Sequence, residues 1–225
     1  ETIKLNTISL INVDNTTLTN PNTLVDTTNN ITYTNTECTV QAFANQLRPY
    51  SIRCQTTSNR LISSVSEDTF NLGTLNWTID LVFRPMQTSA EAYLLDTRAN
   101  STIFRGLVIR QPQTNPTTLM IEVGSSNAAS VFENTYQTAV NSLVANTTYH
   151  LRLVRCRGII LVFMNGALLT TINYGLKDIG YSNKIILFNN DLYTKGFNGY
   201  ITQFRFIKGI STNVFAFPQI TQELK

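Results

Sequence analysis

Along the chain, short runs rich in Val, Ile, Thr, Tyr and Phe are divided by Asn, Gly, Pro or Ser. WTIDLVF (77–83), FRGLVIR (104–110), TTLMIEV (117–123) and KIILF (184–188) have the length and β-branched content of strands. Helical periodicity is nearly absent. The longest stretch without a strand pattern, residues 18–30, reads as a loop rather than an interdomain linker. Many short strands at regular spacing, with turn residues between them, predict a β-sandwich or barrel. No internal repeat or domain boundary interrupts the pattern, so residues 1–225 read as a single domain.

The segment YHLRLVRCRGIILVFMNGALL (149–169) shows the pattern in detail. Strand alternation sends Tyr149, Leu151 and Leu153 to one face and His150, Arg152 and Val154 to the other. Arg155-Cys156-Arg157-Gly158 then reads as a turn, and Ile159–Met164 as a strand apolar on both faces. Asn165-Gly166 is the preferred pair for a tight type I′ hairpin, where both positions need φ > 0. Residues 149–172 are therefore predicted to form a three-stranded meander in the middle of a sheet.

This segment also carries a resemblance. Tyr149, His150 and Leu151, followed by Phe163, Asn165 and Gly166, resemble the aromatic-His-Leu and aromatic-x-Asn-Gly strands of laminin-G-like domains in the concanavalin A-like superfamily. FNLGTLNWTIDLVFRP (70–85) and GFNGYITQFRFIKG (196–209) match further strands in order, with Trp77 and Asp80 in place of the usual Phe and Glu. TISLINVDN … LVDTTNN (7–30) is similar to the opening of such domains, so the likeness covers roughly residues 5–217. The resemblance implies a jelly-roll β-sandwich of two antiparallel sheets, one of them concave. The wording of 196–209 is commonest in bacteriophage and other viral virion proteins and in bacterial surface proteins. None of this implies a ligand, because function resides in sites rather than folds.

Bulk properties narrow the function. Hydrophobic residues make up 42% of the 225, enough for a sizeable core, and the net charge of +3 is too small to imply a nucleic-acid partner. No apolar run is long enough for a membrane span, so membrane insertion is not expected. The sequence starts at Glu1 without a signal-like stretch, and the expectation is a piece of a longer polypeptide. Sequons begin at Asn15, Asn30, Asn76, Asn100 and Asn146, about as many as chance gives in so Asn- and Thr-rich a chain. Cys38, Cys54 and Cys156 lack metal-type spacing. A Cys38–Cys54 bridge is one reading, and three buried free thiols is the favoured one.

An enzyme is not expected. Glycoside hydrolysis needs two carboxylates about 5–10 Å apart, and neither the pair Glu67 and Asp68 nor the pair Glu91 and Asp96 shares a strand face. Asp80 and Glu122 could converge only from different strands, and Asp80 reads instead as a sheet-edge acid or a partner of Arg84. His150, the sole histidine, lies beside arginine on a strand, where burial and charge oppose proton uptake. It reads as a structural histidine satisfied by a neighbour. Arg105, Arg110, Arg152, Arg155 and Arg157 suit anions by their planar fork, but alternation divides them, and a solvated sheet face is the simpler reading. No cofactor is expected. Calcium is the one open alternative, with Asp96 and Asn100, or Asn189, Asn190 and Asp191, as isolated ligands. No Asp-rich loop supports it, so no metal ligand is assigned.

Sugar recognition needs an aromatic face and planar amide or carboxylate partners. The loops NYGLKDIGYSN (173–183) and FNNDLYTKGFN (188–198), with LLDTRANS (94–101) at the same edge, combine these groups. The candidate ligand-binding residues are Asp96, Arg98, Asn100, Tyr174, Tyr181, Asn190, Asp191 and Tyr193. Trp77 reads as core. The expected function is a non-catalytic carbohydrate- or receptor-binding module at a virion surface or outside the cell, mediating host attachment. Its expected partners are a cell-surface glycan or receptor and other virion proteins. The alternative is a structural capsid or fibre module that binds protein.

Overall fold

A computed structural model describes residues 7–13, 23–25, 31–42, 49–63, 70, 72–100, 102–125, 131–179 and 184–209. Among these residues there are strands and no helix. The strands are β1 (Thr7–Asn12), β2 (Thr23–Val25), β3 (Thr32–Thr36), β4 (Thr39–Ala42), β5 (Tyr50–Cys54), β6 (Arg60–Ser63), β7 (Trp77–Pro85) and β8 (Ala92–Asp96). They continue with β9 (Gly106–Gln111), β10 (Met120–Gly124), β11 (Asn134–Gln137), β12 (Tyr149–Cys156), β13 (Ile159–Met164), β14 (Ala167–Asn173), β15 (Ile186–Leu187) and β16 (Gly199–Lys208).

They form two eight-stranded antiparallel sheets. The first runs β14, β13, β12, β7, β16, β5, β4, with β1 added to β16. The second runs β11, β10, β9, β8, β15, β6, β3, β2. This is the all-β sandwich of two antiparallel sheets expected from the sequence.

Alternation fills the core from both sheets. Trp77, Ile79, Leu81 and Phe83 of β7, with Leu151 and Leu153 of β12, meet Leu107, Ile109, Ile121 and Val123 of the second sheet. Trp77 is fully buried, as expected for a core residue. A run such as WTIDLVF, with both faces buried, has the near-continuous apolar character of an interior strand.

The 149–172 segment forms the meander β12–β13–β14, with two differences. First, β12 runs on through Cys156, and the turn is only Arg157-Gly158, both at positive φ. Arg155 is therefore a strand residue on the same face as Leu151 and Leu153, with no exposed surface. Second, β14 is the last strand of its sheet, so the meander forms an edge rather than the middle. The Asn165-Gly166 hairpin has φ of 51° and 88°, as the turn type requires. The loop expected at 18–30 contains the short strand β2, and the rest of it lies outside the described residues.

The cysteines correct the favoured reading. Cys38 and Cys54 form a disulfide, and Cys156 is free. Cys38 follows β3 in the second sheet and Cys54 ends β5 in the first, so the bridge ties the two sheets together. The sequence cannot show this, because it depends on two sheet ends meeting in space.

Candidate functional site

Four charged or titratable residues converge on the outer face of the first sheet. Register places Arg152 and Arg205 directly opposite Asp80 on either side of β7. Arg152 Nε donates to Asp80 Oδ1 at 2.5 Å, and His150 Nε2 approaches the same oxygen at 3.0 Å. Arg205 donates to Oδ2 through Nε at 3.1 Å and Nη2 at 2.8 Å. Burial alone would raise the Asp80 pKa. The His150 hydrogen bond and the two guanidinium charges outweigh it and hold the carboxyl well below the usual carboxylate range. Burial lowers the His150 pKa, which Asp80 only partly offsets, so the imidazole stays neutral at neutral pH. The satisfied histidine expected from the sequence is present, but Asp80 bonds His150, Arg152 and Arg205. Arg84 instead donates to Asn146 at 3.3 Å. The cluster braces the sheet.

The arginines do not assemble into a strip, and several are not solvated either. Arg152 is buried against Asp80, and Arg155 donates to the carbonyls of Gly73, Gly175 and Lys177. Arg110, in the second sheet, donates to Glu122 at 2.7 Å and to Glu91 at 2.8 Å. Arg105 pairs with Asp178 at 2.9 Å. Each of these guanidinium groups is already engaged by a carboxylate or by carbonyls, the Arg105–Asp178 pair being partly exposed. Asp80 and Glu122 lie on different sheets, so that acid pair does not form.

The candidate binding residues do not form one cluster. Asp96, Arg98 and Asp191 meet at the outer face of the second sheet, with Arg98 Nη2 2.7 Å from Asp96 and 3.8 Å from Asp191. Asp96 and Arg98 are buried. Asn190 is also buried, and its Oδ1 accepts from the backbone N–H of Thr194 and Lys195. Tyr193, half-buried, has the Arg60 guanidinium 3.9 Å from its ring centroid. Asn100 is exposed, and its side chain accepts from Thr102. Tyr174 lies elsewhere, buried beneath Arg155 and Lys177, and burial pushes its phenol above the ordinary range. Tyr181 lies outside the described residues. Asp96, Arg98 and Asn190 thus spend their polar groups inside the protein, and the Tyr174 ring is buried.

The 188–198 loop nonetheless lines an open cleft of about 100 Å³. The other walls are Gln55, Thr56 and Thr57 of the β5–β6 turn and Gln87, Ala90, Glu91 and Ala92 between β7 and β8, with Gly196 and Asn198 from the loop. Asn59 Oδ1 accepts from the N–H groups of Gln55 and Thr56, and Asn189 Nδ2 donates to the carbonyls of Thr57 and Asn59. Asn189 Oδ1 accepts in turn from Asn190 and Lys195. Gly196 carries no side chain because a Cβ there would stand 2.3 Å from the Thr56 carbonyl oxygen. Side-chain brackets of this kind fix both walls before any ligand arrives.

Among the described residues Glu91 is the one carboxylate in the lining, and both its oxygens are engaged, by Arg110 at 2.8 Å and Lys195 at 3.2 Å. With one ion-paired acid, the cleft lacks the two-carboxylate arrangement of a glycosidase. Sequence reasoning found the loop but not Gln55, Thr57, Gln87 or Asn198. Isolated Gln and Thr residues in turns give no periodic or motif signal.

No family model matches the chain, and no curated protein matches it. Solved structures do resemble it. The binding domain of botulinum neurotoxin DC in complex with SialylT superimposes with a TM-score of 0.68 at 18% identity. The structure described as "Cell entry of botulinum neurotoxin type C is dependent upon interaction with two ganglioside molecules" gives 0.65 at 15%. The binding domain of Paraclostridial Mosquitocidal Protein 1 gives 0.67 at 16%. Each match covers 94% of this chain and 50% of the other, so the chain spans about half the length of these proteins. At such identities the likeness is one of fold, the β-sandwich present in these binding domains.

Proposed function

We propose that the chain is a non-catalytic carbohydrate- or receptor-binding module, one domain of a longer polypeptide that acts outside the cell in host or target attachment. The observation that carries this reading is the open, braced cleft lined by amide and hydroxyl side chains, with its single acid neutralised. Sites that orient a ligand through a few fixed polar groups have this character. The fold likeness to binding domains described with SialylT and with gangliosides supports it. Placement on a virion surface rests on the resemblance of residues 196–209 to a segment commonest in bacteriophage and other virion proteins.

A second reading, a structural module that binds other virion proteins, is favoured by one observation. The edge strand β14, ALLTTIN, carries no charge and leaves Leu168 53% exposed opposite Phe163 of β13. Unprotected edges of this kind invite pairing.

The test is binding of the purified domain to a broad glycan array and to candidate host cells, with and without EDTA. Reproducible glycan binding supports recognition, and EDTA sensitivity would add a metal. Silence on all glycans together with firm association with a capsid or fibre protein would leave the structural module.

A further inference from the structure

Resting on the recognition reading, we propose that the cleft between the β5–β6 turn, the β7–β8 loop and the 188–198 loop takes one neutral pyranose ring. Three features select that class. The first is size. A cleft of about 100 Å³ has room for roughly seven to ten waters by the same measure, which suits a single sugar ring rather than an oligosaccharide chain.

The second is the supply of polar groups. Asn198 Nδ2 donates to Gln87 Oε1 at 3.1 Å, while Asn198 Oδ1 is buried with no hydrogen-bond partner among the described residues. An unpaired buried acceptor costs free energy that a ligand hydroxyl would recover after a small turn of this half-exposed side chain. The exposed Gln55 amide and Thr57 hydroxyl, neither engaged by another described residue, add donors and acceptors at the mouth. Each planar amide presents a donor and an acceptor together, which matches vicinal hydroxyls. Exposed Ala90 adds a small apolar residue to the lining, against which the C–H face of a ring can rest.

The third is charge. The only ionised group in the lining is the Glu91 carboxylate, whose balancing cations, Arg110 and Lys195, are not themselves lining residues. With Glu91 balanced by Arg110 and Lys195, the described lining offers no uncompensated cation to hold a sugar carboxylate. The cleft is therefore suited to an uncharged sugar. With no aromatic platform in the lining, the affinity of one site is weak, and useful attachment would come from many copies displayed together.

The experiment titrates the isotope-labelled chain with the methyl glycosides of glucose, galactose and mannose, and with the methyl glycoside of sialic acid, followed by NMR. A neutral glycoside is expected to shift the side-chain amides of Gln87 and Asn198 and the backbone amides of residues 55–57. Asn198→Leu and Ala90→Leu should each weaken that binding at least tenfold. Ala90 is exposed, so its variant tests the cleft even where Asn198→Leu fails to fold. Glycan-array binding that persists in both variants, with none of these resonances moving, would overturn the cleft assignment and leave the recognition reading standing. Preferential shifts with the sialoside would overturn the charge argument and with it the assignment. Absence of binding to every glycan on the array would overturn both readings.

Discussion

Asp80→Asn keeps the shape of the side chain and removes the charge that His150, Arg152 and Arg205 share. In the native protein both carboxylate oxygens accept from these groups at 2.5–3.1 Å, and Asp80 has no exposed surface. The variant leaves two guanidinium groups nearly buried with a neutral amide as their partner. Removing one member of a buried ion pair costs about 3–5 kcal/mol. In a domain of this size each kcal/mol moves Tm by about 2–4 °C, so the melt followed by far-UV circular dichroism should fall by about 6–20 °C at pH 7. The pH dependence supplies a second arm. The Asp80 pKa is held below its ordinary 3.8, so the stability it contributes is complete above that value. It is lost as pH falls below 3.8 toward the folded value. The gap between native and variant melts should therefore narrow as pH is lowered through this range. A drop of less than about 3 °C, or a gap that does not change with pH, would refute the account of Asp80 as the brace of this sheet.

Other expectations follow from single contacts. The His150 pKa is lowered from its ordinary 6.5, so the unfolded chain takes up a proton first as pH falls. Stability should therefore decline below about pH 6.5, and His150→Gln should flatten that slope in urea titrations at stepped pH. Replacing Cys38 and Cys54 by Ser opens a loop of 16 residues and should cost about 3 kcal/mol by denaturant unfolding. Thiol titration of the denatured, unreduced chain should meanwhile find one reactive thiol, Cys156. Gly196→Ala sets a methyl 2.3 Å from the Thr56 carbonyl oxygen. It should cost about 1–3 kcal/mol and speed amide hydrogen exchange in residues 189–198, and unchanged exchange would sink the close-approach argument.

The legibility of this chain varied with how local each signal was. The strand at 77–83, the Asn165-Gly166 hairpin and the core position of Trp77 depend on near neighbours, and all three were readable. Arg155 was misplaced in a turn because Arg-Cys-Arg-Gly is polar. In fact its guanidinium is satisfied by carbonyls up to 82 positions away in sequence. Of the candidate site, the 188–198 loop was legible from its Tyr, Asn and Asp content, but the roles within it were not. Asn190, a candidate from the sequence, is buried and brackets the loop, while Asn198, which was not singled out, lines the cleft.

By itself, the local pattern determined that the chain is all-β, a sandwich or a barrel, because alternation and turn chemistry are written into neighbouring residues. The two-sheet sandwich followed from the family resemblance. Tertiary structure alone decided which polar residues are drawn inside and which line the open cleft. Asp96, Arg98 and Asp80 found partners inside the protein, through pairings that depend on strand register and loop packing. Gln55, Gln87 and Asn198 were brought from three separate segments to one open cleft. Burial and partnership are properties of the folded arrangement, and no local pattern encodes them.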